Sequence, residues 1–324
     1  SNLYNIPNQE QLAEILVQLT DMERAFFCNS GAEANEAALK IARLYGHQQG
    51  CEKPTVIVTK GSFHGRTLAT LSATGNPKVQ QGFEPLVEGF VRVPYNDIEA
   101  IAKLSTNSQI VAVLVEPVIG EGGILIPADD YLVKLHNLCK QNNWLLMLDE
   151  IQTGMGRTGK WCAFQHTNIL PDVITLAKGL GNGVPIGACL TRDKVADILQ
   201  PGTHGSTFGG NPLVCKVALA VINTIKQDNL LLRVQELSER FKQGFNKNLA
   251  NVSGVKEIRI KGLMIGIELE QACSQLVIKA LAQNLLINVT AERVIRLLPP
   301  FILTNEQADE IIVTVSNLVK EELG

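Results

Sequence analysis

A chain of 324 residues, 45% hydrophobic and 19% charged, has core enough for one large and one small domain, or for two of similar size. A net charge of −3 and a pI near 6.0, with no basic run, argue against nucleic acid or an anionic membrane surface as partner. The apolar runs are strand-sized, so no membrane span is predicted, and Ser1-Asn2-Leu3-Tyr4-Asn5-Ile6-Pro7 has neither the basic cluster nor the apolar run of a secretory leader.

Asn8-Gln9-Glu10 opens an amphipathic stretch with Leu12, Ile15, Leu16 and Leu19 at helical spacing. Ser30 to Leu44, rich in Ala and Glu, is predicted as a second helix. Thr55 to Thr59 is apolar and β-branched, and Gln109 to Val115 is a near-continuous apolar run of the kind buried on both faces of a sheet. Pro127-Ala128-Asp129-Asp130 predicts a helix start running on to Lys140, because proline and acids suit the positive end. Further strands are predicted at Trp144 to Leu148, Val173 to Leu176 and Ile186 to Leu190. This β-α-β alternation implies an α/β fold with a mostly parallel sheet and helices on both faces. Past Pro212 the pattern changes to helices over Leu213 to Ile225 and Leu230 to about Leu249, short strands at Val255 to Ile260 and Leu263 to Leu269, and a terminal helix from Glu306. A boundary near Asp228-Asn229 divides a large domain, 1–228, from a smaller C-terminal α+β domain, 229–324.

Seven cysteines, an odd number with no C-x-x-C, are scattered singly and read as small buried hydrophobes in a reducing, cytoplasmic setting. Five isolated histidines give no metal cluster.

The chemistry gathers at strand ends. Asp149-Glu150 closes one apolar run and Lys178-Gly179 follows another, and ligands of α/β proteins sit at the carboxyl edge of the sheet. A lysine that holds an aldehyde as a Schiff base, beside an aspartate that keeps a pyridine nitrogen protonated, is what pyridoxal phosphate chemistry requires. The alternative is a strand-end acid and an unrelated surface lysine. Asn29-Ser30-Gly31-Ala32-Glu33-Ala34 stands at a helix start and offers backbone N–H groups to a phosphate, or else a plain Ser N-cap. Gly61-Ser62-Phe63-His64-Gly65-Arg66-Thr67 puts a flat ring, an imidazole and a guanidinium on one loop. Phe63 suits stacking on an aromatic ligand and Arg66 suits a carboxylate; the alternatives are a minor core and a surface charge. Glu121, within Gly120-Glu121-Gly122-Gly123, is a functional acid or a solvated turn acid. The glycines of Gly179-Leu180-Gly181-Asn182-Gly183 lack dinucleotide-loop spacing, and no P-loop is present. Gly205-Ser206-Thr207-Phe208-Gly209-Gly210-Asn211-Pro212 suits a second phosphate contact. Arg296 lies in an apolar run and needs a carboxylate, from protein or substrate.

Taken in order, these segments resemble the class III, fold-type I aminotransferases, and within them the acetylornithine branch. The markers are Ser30-Gly31-Ala32-Glu33-Ala34-Asn35-Glu36, Phe63-His64-Gly65-Arg66, Asp149-Glu150-Ile151-Gln152-Thr153-Gly154, Ala177 to Ala188, and Ser206 to Pro212, spread over essentially the whole chain. The resemblance implies pyridoxal 5′-phosphate as cofactor. Lys178 would hold it and carry the proton, Asp149 would pair with its ring nitrogen, and Gln152 would reach its phenolic oxygen. Phe63 would stack on the ring, and Ser30, Gly31, Ala32 and Ile151 would complete its site. Thr207 would close the phosphate site from a neighbouring subunit, with Ser206 on the substrate side, which implies a homodimer with a shared active site. Arg66 would bind the α-carboxylate of N2-acetyl-L-ornithine. Arg296 would bind that of glutamate or 2-oxoglutarate, with Glu121 screening it when the amine donor is bound. Such a gate answers a physical need: one site must recognise carboxylates at two distances, and a desolvated charge must be paired or removed.

Ile119 stands where the family usually has Gln, and Ala32 where Thr is common, so two polar contacts are removed. The family also has a further N-terminal segment lining the substrate entrance. Rival donors are succinylornithine, succinyl-diaminopimelate, ornithine and 4-aminobutyrate; an inactive dimeric scaffold and a mutase are the readings of other classes.

Overall fold

The computed structural model of the chain describes residues 4–324, so the stretch Ser1 to Leu3, read above for a leader, lies outside the described part. The elements in chain order are α1 (Pro7–Thr20), β1 (Arg24–Cys28), α2 (Gly31–Gln48), β2 (Thr55–Thr59), α3 (Leu68–Ala73), β3 (Phe90–Val93), α4 (Ile98–Ala102), β4 (Ile110–Val115), α5 (Tyr131–Gln141), β5 (Leu145–Asp149), β6 (Val173–Leu176), β7 (Gly187–Thr191) and α6 (Pro212–Gln227). There follow α7 (Leu230–Leu249), β8 (Val255–Lys261), β9 (Met264–Leu269), α8 (Leu276–Ala282), β10 (Asn288–Thr290), β11 (Val294–Leu297) and α9 (Asn305–Leu323).

Seven strands form the main sheet in the order β1-β7-β6-β5-β4-β2-β3. From β3 to β6 every neighbour is parallel, while β7 runs antiparallel to both β6 and β1. The apolar runs of these strands are buried on both faces, as a parallel sheet demands. Alternate residues divide between two layers. Ile57, Val113, Leu146, Leu148 and Ile174 meet α1, α5 and α6 on one side. Val56, Val58, Leu114, Met147 and Val173 meet the Ala-rich face of α2 on the other. The second sheet, β10-β11-β9-β8, is wholly antiparallel. Its core is built with α7, α8 and α9 through Leu237, Phe241, Leu276 and Ile312. Among the described residues no helix is long and apolar enough to cross a membrane.

One expected boundary moves. The helix predicted from Pro127 begins only at Tyr131. Ala128 donates its N–H to Asn96 Oδ1 and its carbonyl accepts from Tyr131 N–H, so residues 128–131 form a turn pinned to a neighbouring loop. The strands β1 and β3 and the hairpin β10–β11, which no clear alternation announced, are set by pairing with their neighbours.

Candidate active site

A cavity of about 420 Å³ opens at the carboxyl ends of β4, β5 and β6, against the N-terminus of α2. Pairing of parallel strands explains why Asp149 and Lys178 share it. Asp149 closes β5 and is in register with Thr175 of β6, so a residue three positions further on emerges at the same edge. Lys178 does so with φ at +41°, a left-handed backbone costing a non-glycine residue on the order of 1 kcal/mol and typical of functional positions. Among the described residues its Nζ has no hydrogen-bond or ion-pair partner.

Asp149 is held from three elements. Its Oδ2 accepts from Asn35 Nδ2 of α2 and from His64 Nδ1, both at 2.8 Å. Its Oδ1 accepts from Ile151 N–H at 3.1 Å. Asn35 is itself fixed, because its Oδ1 accepts from Thr175 Oγ1 and its Nδ2 also donates to the His64 carbonyl. With Nδ1 of His64 engaged by the carboxylate, its Nε2 is left buried and unpartnered. The carboxylate therefore presents a fixed edge in the cavity wall.

Two further acids are buried nearby, Glu116 in the cavity lining and Glu150 outside it. Glu116, just past β4, accepts from Phe63 N–H at 2.9 Å and from Gly120 N–H at 3.1 Å, tying the Phe63 loop to the Glu121 loop. Burial, then the neighbouring Asp149 charge, pushes its pKa up to about 7. Glu150 accepts from Thr153 Oγ1 and from the N–H groups of Ala163 and Phe164, anchoring the loop beyond β5; burial raises it to about 7 as well.

At the other end, Ser30 Oγ accepts from Glu33 N–H and caps α2. The first-turn N–H groups of Gly31 and Ala32 have no intrahelical acceptor and, with the helix dipole, form an anion site. A Cβ at position 31 would stand 2.7 Å from Ile151 Cδ1, so a larger residue there would force the Ile151 side chain to shift. Phe63, Ile151 and Gln152 line the cavity between these ends, and Gln152 Oε1 is buried without a partner.

The two arginines stand differently towards the cavity. Arg66 lines the cavity with its guanidinium 5.6 Å from the Phe63 ring, and it has no acidic partner among the described residues. Arg296, on β11, does not line the cavity. Its Nη1 donates to Glu121 Oε1 at 2.7 Å, and Glu121 does line it. Arg296 Nε is buried and unpartnered. The Glu121 loop is closed by paired bonds between Ile119 and Leu125. It is also held from the second sheet, where Thr290 Oγ1 donates to the Glu121 carbonyl and Arg259 Nη2 to that of Gly123. Ile119 is fully buried and outside the cavity wall, so the Glu121–Arg296 pair forms without a glutamine at that position.

Ser206 and Thr207 are not brought into their own chain's cavity. Ser206 Oγ accepts from Asn29 Nδ2, at the cavity rim, and Thr207 is exposed. Sequence reasoning assigned no role to Asn35, His64 or Glu116. The signal for Asn35 was present: an Asn on an Ala-lined helix face is a buried polar group that must have partners.

An anion site, a flat ring, a fixed carboxylate, an unpartnered amide and a free lysine in one cavity fit pyridoxal phosphate. The family model for class-III aminotransferases matches residues 1–319. The chain is 54% identical to an acetylornithine aminotransferase of Nitrosomonas europaea, over 98% of this chain and 81% of that one. Among solved structures, the ornithine aminotransferase of Toxoplasma gondii superposes with a TM-score of 0.94 at 34% identity, covering 98% of this chain and 78% of that one. The acetylornithine aminotransferase of Elizabethkingia anophelis gives 0.88 at 33%, covering 99% and 81%. The chain belongs to the class-III aminotransferases, enzymes of the fold-type I group that work with pyridoxal 5′-phosphate.

Proposed function

We propose that the chain moves the terminal amine of N2-acetyl-L-ornithine to 2-oxoglutarate, giving N-acetylglutamate 5-semialdehyde and glutamate, a step of arginine biosynthesis in the cytoplasm. The observation that carries this reading is the 2.7 Å ion pair of Arg296 with Glu121, beside a cavity that also presents Arg66. Pyridoxal phosphate, when bound, supplies the carbonyl that takes up the amine and a ring that withdraws electrons from the carbon losing its proton. Every other task falls to the chain. Gly31 and Ala32 bind the phosphate through backbone N–H groups, and Phe63 covers the ring. Asp149, aimed by His64 and Asn35, holds the proton on the ring nitrogen. Lys178 Nζ, with no competing partner, moves the proton at the reacting carbon.

The two arginines divide the substrates. Arg66 takes the α-carboxylate of the donor, whose reacting amine lies several bonds away. While that donor is bound, Glu121 keeps Arg296 neutralised. Glutamate carries carboxylate and amine on one carbon, and Glu121 swings off Arg296 to let it bind. Because one substrate must leave before the other enters, the sequence is ping-pong.

The proposal includes a homodimer with a shared site. Ser206 and Thr207 sit outside their own cavity, on a segment that continues through Phe208 to Leu213, each about 70% exposed. Such a segment is suited to close the cavity of a neighbour. We also take 1–228 and 229–324 as the large and small domains, the latter supplying Arg296.

The holoenzyme mixed separately with N-acetylornithine, ornithine, 4-aminobutyrate and succinyl-diaminopimelate tests the reading. Bleaching of the visible cofactor band by acetylornithine, restored by 2-oxoglutarate, is expected. No bleaching by any of these amines would overturn it.

A further inference from the structure

A second cavity, of about 520 Å³, adjoins the first and shares Phe63, Arg66 and Glu121 with it. Its far side is formed by residues 76–79, from the loop before β3, and by the β10–β11 hairpin tip at 290–292. These two sides are joined at the rim by Lys78 Nζ and Glu292 Oε1, 2.6 Å apart. The tip is locally costly. Ala291 and Glu292 have φ of +48° and +64°, values that tight hairpin turns require and that Asn and Gly supply more cheaply. Beneath it, Thr290 Oγ1 donates to the Glu121 carbonyl, so the tip is tied to the loop that carries the gate.

The chemistry of an N2-acylated donor determines what this second space receives. Its α-carboxylate and its acyl-amide share one carbon, so with the carboxylate on Arg66 the acyl group lies beside Arg66. The terminal amine fills the first cavity towards Lys178. Arg66 lines both cavities, and the acyl group therefore projects into the second. A neutral acyl group asks nothing of the rim pair. An acyl group ending in a carboxylate meets Lys78 already neutralised and Glu292 repelling it.

We propose that the Lys78–Glu292 pair sets the acyl preference of the amine donor, favouring a neutral acyl group over one that carries a carboxylate. This rests on the reading of an N2-acylated donor given above. Both side chains are largely exposed, at 80% and 69%, so the pair is weak and readily exchanged. The discrimination is accordingly about two- to five-fold in specificity, not absolute.

The test compares N2-acetyl- with N2-succinyl-ornithine on the holoenzyme, with each kcat/KM referred to the glutamate half-reaction of the same preparation. Glu292→Gln, which frees Lys78 without changing the turn, should raise the succinyl-to-acetyl ratio by about three-fold. Lys78→Met, which leaves the acid alone at the rim, should lower it by a similar factor. Calorimetric binding of N-acetyl- and N-succinyl-norvaline, which lack the terminal amine, should shift in the same directions without any turnover. Ratios unmoved in both variants, by both readouts, would overturn the proposal while leaving the donor class intact. A wild-type enzyme that reacts with neither acylated donor would instead remove the functional reading, and this inference with it.

Discussion

Arg296 is the side chain proposed above to take the α-carboxylate of glutamate or 2-oxoglutarate. It is mostly buried, it is paired to a single acid, and its Nε lacks a partner, so it is not the hub of a structural network. Arg296→Ala should lower kcat/KM for the glutamate half-reaction by roughly thirty-fold, the equivalent of about 2 kcal/mol for a lost charge-assisted hydrogen bond. The acetylornithine half-reaction should fall by less than about three-fold. Equal losses in stopped-flow measurements would make Arg296 structural. Glu116 offers a pH test at the same scale. Its folded pKa, about 7, lies above the ordinary 4.5. Between these values the folded chain holds the proton more firmly than the unfolded one, so this group's contribution to stability falls as pH rises from about 4.5 to about 7. Glu116→Gln cannot titrate. Its melting temperature should sit below wild type at pH 4.5, because one oxygen must replace two acceptors, and the deficit should shrink towards pH 7. A constant difference across that range would contradict the raised pKa.

At the scale of elements, the site is made where parallel strands stop. Register carries Asp149 and Lys178 to one edge, and α2 delivers both its capped N-terminus and Asn35, one turn further along. Ser30→Ala removes the side-chain acceptor of Glu33 N–H and should lower stability by about 1 kcal/mol, as loss of an N-cap does. Chemical denaturation would show this as a lower midpoint at unchanged m-value. An unchanged midpoint would mean that the backbone of the first turn is held by Glu33 and Asn29 alone. Elements with strong periodicity were legible in advance: α1, α2, α7 and the apolar strands β2, β4, β5 and β6 fall within a few residues of their sequence patterns. The start of α5 was not, because the Asn96 contact that pins Ala128 comes from a loop over thirty residues upstream.

For the molecule as a whole, the second sheet works by reaching the first. Arg259, 7% exposed, pairs with Glu257 and Glu268 in its own sheet and donates to the Gly123 carbonyl in the Glu121 loop. Arg296 and Thr290 meet the same loop. The position of Glu121 is therefore decided jointly by both sheets. The exposed Phe208 and Leu213 point to the next level, that of the proposed dimer. Phe208→Glu should shift the protein towards monomer in light scattering and depress turnover with it, since Thr207 would no longer reach a neighbour's cavity. A monomeric variant with full activity would show that each chain's site is complete alone.

The sequence by itself determined the alternating apolar runs, hence an α/β sheet buried on both faces, and the order of small motifs that marks the family. It also singled out Lys178, Asp149, Arg66 and Arg296 as candidates, because residues of those types in apolar or glycine-flanked settings need a chemical reason. Only the tertiary structure decided which groups act on them. The bonds of His64 and Asn35 to Asp149, the bond of Glu116 to Phe63, and the meeting of Arg296 with Glu121 join residues 53 to 175 positions apart. Local propensity cannot encode such pairings. Strand order, register and the approach of the second sheet fix them, and those follow from how the whole chain buries its apolar surface.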